Sequence, residues 1–308
     1  MSSAGSQPAG VRAASPPAGK LPADRPPGWR RSAHSWILAA RPKTLSASVV
    51  PVLVGTALAH RVNWFIFACA LFGAVFIQIG TNLVNDALDF KRGADTAERL
   101  GPIRVTQAGL LGYAVVLRGA YVCFAIAALC GIPLILRGGW PIVIIGIASI
   151  LAAYAYTGGP YPLGYHGLGE LFVLIFFGII AVGGSYYVQT LAFDLRAAIA
   201  GVAVGLLAVA LLVINNLRDI DSDRASQKRT LIVRFGETFG RFEVAACVLI
   251  PFALIVAIHW LPLAALPLAV LLIPCVWRSK RGELNRCLAM AGALQWAFGI
   301  LFVIGSLW

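Results

Sequence analysis

The chain has 308 residues, 59% of them hydrophobic and only 12% charged, with a formal net charge of +12. Soluble domains carry about 25% charged residues, so this composition excludes an ordinary water-soluble fold and points to the bilayer. In a soluble protein the basic excess would imply nucleic acid, whereas in a membrane protein it marks cytoplasmic loops, and its distribution decides between the two.

Residues 1–35 are rich in Ala, Pro, Ser and Gly and carry a single acid, Asp24. No apolar stretch of the signal-sequence kind interrupts them, so we expect a disordered cytoplasmic tail ahead of one membrane domain over 36–308. A helix needs about 20 apolar residues to cross roughly 30 Å of hydrocarbon. Such runs fill the rest of the chain and predict nine transmembrane helices, near 42–60, 64–86, 110–136, 140–157, 168–190, 195–217, 242–260, 262–277 and 287–307. The six cysteines are scattered without CxxC spacing and read as small buried hydrophobes.

Of the 25 basic residues, 21 fall in the N-terminal segment up to Lys43 and in the loops at 87–109, 218–241 and 278–286. The other face receives Arg61, Arg137 and Arg196, while Arg118 lies inside the third span. This asymmetry predicts a cytoplasmic N-terminus and, after nine crossings, a C-terminus outside the inner membrane. The basic excess is therefore topological, and no nucleic-acid partner is expected.

Acids are scarce, thirteen in all, yet seven crowd into two of those loops. One contains Asn85, Asp86, Asp89, Asp95 and Glu98; the other contains Asn215, Asn216, Asp219, Asp221 and Asp223. In each, an Asn precedes an Asp by four residues, and in the second a further Asp follows after four more. Where the spanning helix continues into the motif, such residues share a face. Their oxygens suit hard Mg²⁺, which is typically shared with substrate phosphates. Two clusters on one face of the membrane could hold a single diphosphate and neutralise it as a leaving group. Either cluster alone would read as a solvated helix-capping loop. Nearby Lys91, Arg92, Arg99, Arg104, Arg224, Lys228 and Arg229 are candidates for phosphate oxygens, although positive-inside topology also predicts basic residues there. Arg41 and Lys43 precede the first span. Tyr154, Tyr156, Tyr161 and Tyr165 line a Gly- and Pro-rich loop, where aromatic faces can shield a cation.

Four segments carry a resemblance to a known family: RPKTLSASVVPVLVGTAL from Arg41, GTNLVNDALDFKRGADTAERLGPIRVTQ from Gly80, YTGGPYPLGYHGLGE from Tyr156 and NNLRDIDSDRASQKRTL from Asn215. From Arg41 to the C-terminus the chain resembles the UbiA superfamily of membrane prenyltransferases, within it the branch that uses 1,4-dihydroxy-2-naphthoate. The resemblance implies an all-α membrane fold of nine helices around a central cavity open sideways to lipid. It implies Mg²⁺ held by Asn85, Asp89, Asn215, Asp219 and Asp223. Many members place another Asp four residues after the first motif's Asp; here that position is Gly93, and Asp95 becomes the candidate ligand, as in the naphthoate-using branch.

The implied substrates are a polyprenyl or phytyl diphosphate and 1,4-dihydroxy-2-naphthoate, with Lys91, Arg104, Lys228 and Arg229 at the diphosphate. Arg41, Lys43, Tyr154, Tyr156 and Tyr161 would face the aromatic substrate and the allylic cation, and Asp86 or a free motif Asp would take the phenolic proton. Competing readings are a relative using 4-hydroxybenzoate or homogentisate and, in a different class, a divalent-cation transporter.

Overall fold

In hydrocarbon every backbone N–H and C=O must be satisfied within the segment, which leaves long apolar runs one option, the helix. The computed structural model describes residues 28–94 and 100–307, with side chains from residue 33, and all of its regular elements are helical. Helix α1 (Gly28–Ala40) starts inside the expected tail, which was to end at residue 35, and residues 1–27 lie outside the described part. Arg41 then takes the left-handed conformation, φ 52°, and the chain turns 53° into α2 (Ser46–Ala57). The first expected span is thus a bent pair.

Helix α3 (Trp64–Lys91) is capped by Asn63, whose side-chain oxygen accepts from Ile66 N at 3.2 Å. Its 28 residues make roughly 42 Å at 1.5 Å per residue, well beyond the hydrocarbon core. That length leaves room for its last turns, with Asn85, Asp86 and Asp89, to extend beyond the apolar run. Helices α4 (Tyr113–Gly138) and α5 (Trp140–Ala155) are joined at Gly139, whose φ of 71° suits glycine. Arg118 lies near the start of α4, exposed, with its Nε on the carbonyl of Ala114.

Helix α6 (Gly169–Thr190) is π-helical through Leu174–Ile180 and packs closely on α7 (Leu195–Arg218). A methyl on Gly178 would sit 2.5 Å from the Gly201 carbonyl oxygen, so the crossing requires small residues on both helices. Short helices α8 (Ile220–Ala225) and α9 (Leu231–Phe235) follow, then α10 (Glu237–Ile255), α11 (Leu261–Arg278) and α12 (Leu284–Ser306).

Helix α7 is the axis of the larger core, packed by α2, α6, α10 and α12 around Val204, Leu207, Ile214, Phe298 and Phe302. A smaller core joins α1, α3 and α4 around Leu83, Val84 and Phe124. Leu129, Leu136, Ile144, Leu151 and Leu271 point outward, a surface that only lipid would cover. At the end of the bundle remote from the Asp clusters, Arg137 donates to the carbonyls of Val188 and Gln189, and Gln189 bonds both backbone groups of Asn63. One of the few basic residues on that face thus has a structural task.

Each of the nine expected segments contains a helix, but the count of spans is lower by length. Among the described residues seven helices are long and apolar enough to cross, and the bent pair makes an eighth. Helix α5 has 16 residues, about 24 Å, and is shorter than the seven, yet it leads from Gly139 at the remote end to Thr157 beside Asn85 at the end of α3. The molecule is an all-α, multi-pass membrane protein.

Candidate active site

The C-terminal end of α3 is a continuous helix through both of its carboxylates, and they do different things. Asp86, 1% exposed, accepts from the amides of Val105 and Thr106 at 3.0 and 2.9 Å. Both oxygens are thereby committed to holding the 104–106 loop. That loop delivers Arg104, whose Nη2 meets Asp89 Oδ2 at 3.1 Å, while the Tyr165 hydroxyl donates to Asp89 Oδ1 at 2.8 Å. One turn earlier, Asn85 accepts from the Thr157 hydroxyl. Asn82 donates to Ala40 O and Thr44 Oγ1, which ties the α1–α2 turn to α3.

At the end of α7 the helix does not continue. The chain breaks at Asp219 (φ −96°, ψ 10°) and resumes as α8, yet Asp223 N still donates to Asp219 O at 2.8 Å. Asp219 and Asp223 therefore stay one turn apart on one wall. Arg218, 1% exposed, grips Asp219 with a fork: Nε to Oδ1 at 2.8 Å and Nη2 to Oδ2 at 2.6 Å. The same Nη2 reaches Asn215 Oδ1 at 2.6 Å. Lys228 Nζ lies 3.3 Å from Asp223 Oδ1, and Arg229 N donates to Tyr165 O, which stitches this segment to the tyrosine loop.

The two helix ends close on one small polar cavity of about 30 Å³, walled by Asp89, Ala94, Arg104, Tyr165, Asn215, Asp219, Ser222, Asp223 and Lys228. Three carboxylates meet three cations, each acid with its own partner. Burial alone would depress the Lys228 ammonium, but Asp223 and Asp89 outweigh it and hold it above the usual lysine range. Burial raises the Asp223 carboxyl against the opposing pull of Lys228. Burial and the neighbouring Asp89 keep the Tyr165 phenol protonated, and burial pushes Tyr156 up to about 12.

Several expected site residues lie elsewhere. Lys91 is exposed over the Tyr113 ring, 5.8 Å from its centroid; Arg229 and Lys43 are exposed; Arg41 is half-buried at its turn. Tyr161 is exposed and stacks on His166 at 3.6 Å, and Tyr154 packs into the α1–α3–α4 core. Tyr156 packs against Gly164 and Gly169 beside the cavity. Asp95 lies outside the described residues. The sequence reading gave no role to Arg218 or Ser222 and did not single out Tyr165 among four tyrosines. An Arg in the last turn of a spanning helix looks like any positive-inside charge, and only its neighbour Asp219 hints otherwise.

Among the described residues no three His, Cys, Asp or Glu side chains close into a ready-made metal cage. The donor set nevertheless fits Mg²⁺, being all oxygen, and Asp223 Oδ2 is buried with no hydrogen-bond partner. These Asp residues sit at helix ends, whereas a transport pathway would place its site near mid-membrane.

Residues 48–299 match the UbiA prenyltransferase family. The chain is 38% identical over 288 residues to a 1,4-dihydroxy-2-naphthoate octaprenyltransferase of Mycobacterium tuberculosis, covering 86% of this chain and 98% of that one. It is 37% identical to the protein of the same name from Escherichia coli, covering 88% and 94%. A UbiA homolog from Aeropyrum pernix K1 superposes with a TM-score of 0.63 at 14% identity, over 85% of this chain and 97% of that one. A UbiA homolog from Archaeoglobus fulgidus, solved bound to GPP and Mg²⁺, superposes at 0.58 and 13% identity, over 88% and 99%. Fold, motifs and relatives agree, and the chain belongs to the UbiA prenyltransferase family.

Proposed function

We propose that this enzyme transfers a polyprenyl group from its diphosphate to 1,4-dihydroxy-2-naphthoate, with loss of carbon dioxide, in the synthesis of a menaquinone-type quinone. The observation that carries the reading is the joining of the two Asp-bearing helix ends, with Arg104, Lys228 and Tyr165, around one cavity. The naphthoate assignment draws support from relatives that bear that activity in their names.

In this reading Asp89, Asp219 and Asp223, with Asn85 and Asn215 in support, would hold Mg²⁺. The metal supplies neutralisation of the diphosphate as it leaves. Arg104 and Lys228, which pair with Asp89 and Asp223 in this structure, would donate to the phosphate oxygens. The allylic carbon–oxygen bond breaks, and diphosphate departs with the electron pair. The ring carbon bearing the carboxylate attacks the allylic cation, forming the new carbon–carbon bond. Carbon dioxide then leaves, returning its electron pair to the ring and restoring aromaticity. Tyr156 and Tyr165 stay neutral phenols and can face a cation without becoming nucleophiles.

The excess of basic residues in the segments around both clusters supports a cytoplasmic N-terminus and a cavity at the cytoplasmic face of a bacterial inner membrane. Purified protein given polyprenyl diphosphate and Mg²⁺ should turn over 1,4-dihydroxy-2-naphthoate far faster than 4-hydroxybenzoate or homogentisate. Preference for either of the others would overturn the acceptor and leave the cavity's role standing.

A further inference from the structure

Arg218 is the largest fully buried side chain among the described residues, and its guanidinium is committed on every side. Beyond the fork on Asp219 and the bond to Asn215, Nη1 donates to Asn285 Oδ1 at 2.9 Å, in the first turn of α12. Asn285 Nδ2 in turn donates to the carbonyl of Leu100 at 2.9 Å. A single buried cation thus links the end of α7, the start of the last helix and the segment that follows the first Asp cluster.

We propose that Arg218 is a positioning residue that aims Asp219 at the cavity, and that Asn285 holds Arg218 in register from α12. A carboxylate offers about four lone-pair directions. The fork takes one on each oxygen and fixes the plane of the group at the cavity that Asp219 lines. Lys cannot do this, because an ammonium is a point donor with no planar fork. Without Asn285 the Nη1 edge loses its side-chain acceptor and the plane is free to rotate. Groups that orient a metal's ligands typically alter its affinity 10- to 100-fold. The inference rests on the reading of the cavity as a Mg²⁺–diphosphate site.

The test is thermal unfolding of purified protein during titration of Mg²⁺ at fixed inorganic pyrophosphate. We expect the Mg²⁺ midpoint of stabilisation to rise about tenfold in Arg218→Lys. Asn285 is exposed and one step further out, and for Asn285→Ala we expect a smaller rise than in Arg218→Lys. Asn285→Asp keeps the acceptor oxygen but loses the bond to Leu100, and should stay close to wild type. An unchanged or lowered midpoint in the Lys and Ala variants would overturn the proposal. So would Asn285→Asp and Asn285→Ala moving together, since the tether to Leu100 would then be what matters. If Arg218→Lys does not fold, the two Asn285 variants decide alone. A wild-type protein that pyrophosphate and Mg²⁺ fail to stabilise would refute the underlying reading instead.

Discussion

The ends of α3 and α7 carry nearly the same letters, and the fold uses them differently. At α3 the helix runs on through Asp86 and Asp89, so the two point to different neighbours: Asp86 fastens a loop and Asp89 reaches the cavity. At α7 the helix breaks at Asp219, yet the bond from Asp223 N to Asp219 O keeps both carboxylates on the cavity wall. The cations differ too. Asp89 borrows Arg104 from 15 residues downstream, whereas Asp219 is gripped by the residue before it. Asp86 and Asp89 are three residues apart and Asp219 and Asp223 four, and only the second pair lines the cavity together.

If the comparison is right, the largest losses follow removal of a cavity carboxylate from either end. Asp89→Asn and Asp219→Asn should each lower kcat by at least about 10²–10³-fold, with the protein still folded in detergent. Near-normal turnover of Asp89→Asn at limiting Mg²⁺ would remove the α3 end from the site. Next come the borrowed cations. Arg104→Gln and Lys228→Gln should raise the KM for the prenyl diphosphate about tenfold and leave the KM for the naphthoate unchanged. Equal shifts in both would mean that these side chains do not face the diphosphate.

Asp86→Asn sharpens the contrast within α3. Replacing one acceptor oxygen by an N–H₂ group leaves a buried backbone amide without its partner, at a cost of about 1–3 kcal/mol in stability. We expect a lowered unfolding temperature with the Mg²⁺ midpoint unmoved; the reverse pattern would restore Asp86 to the chemistry. The smallest effects belong to residues the fold sends elsewhere. Lys91→Gln and Tyr161→Phe should stay within about twofold of wild type in kcat/KM, as surface changes do.

Most of the architecture was legible because apolar run length constrains a chain in lipid more tightly than any propensity does. What escaped was local. The bend at Arg41 requires a left-handed residue that no glycine announces. The pairing of the two clusters was readable from the span count, since both follow even-numbered expected spans. The partners were not. Tyr165 is one of four tyrosines in its loop, and the fold chooses it by stitching Arg229 N to its carbonyl. Asp86 looked like its neighbour Asp89 because helix-face arguments rank positions and do not reveal which loop will fold back on them.

The most direct test of the account follows the carboxyl carbon. Purified enzyme should be given 1,4-dihydroxy-2-naphthoate labelled at that carbon, a polyprenyl diphosphate and Mg²⁺. The account predicts labelled carbon dioxide in step with diphosphate and an unlabelled prenylated product, all abolished together in Asp219→Asn. A prenylated product that retains the label would contradict it.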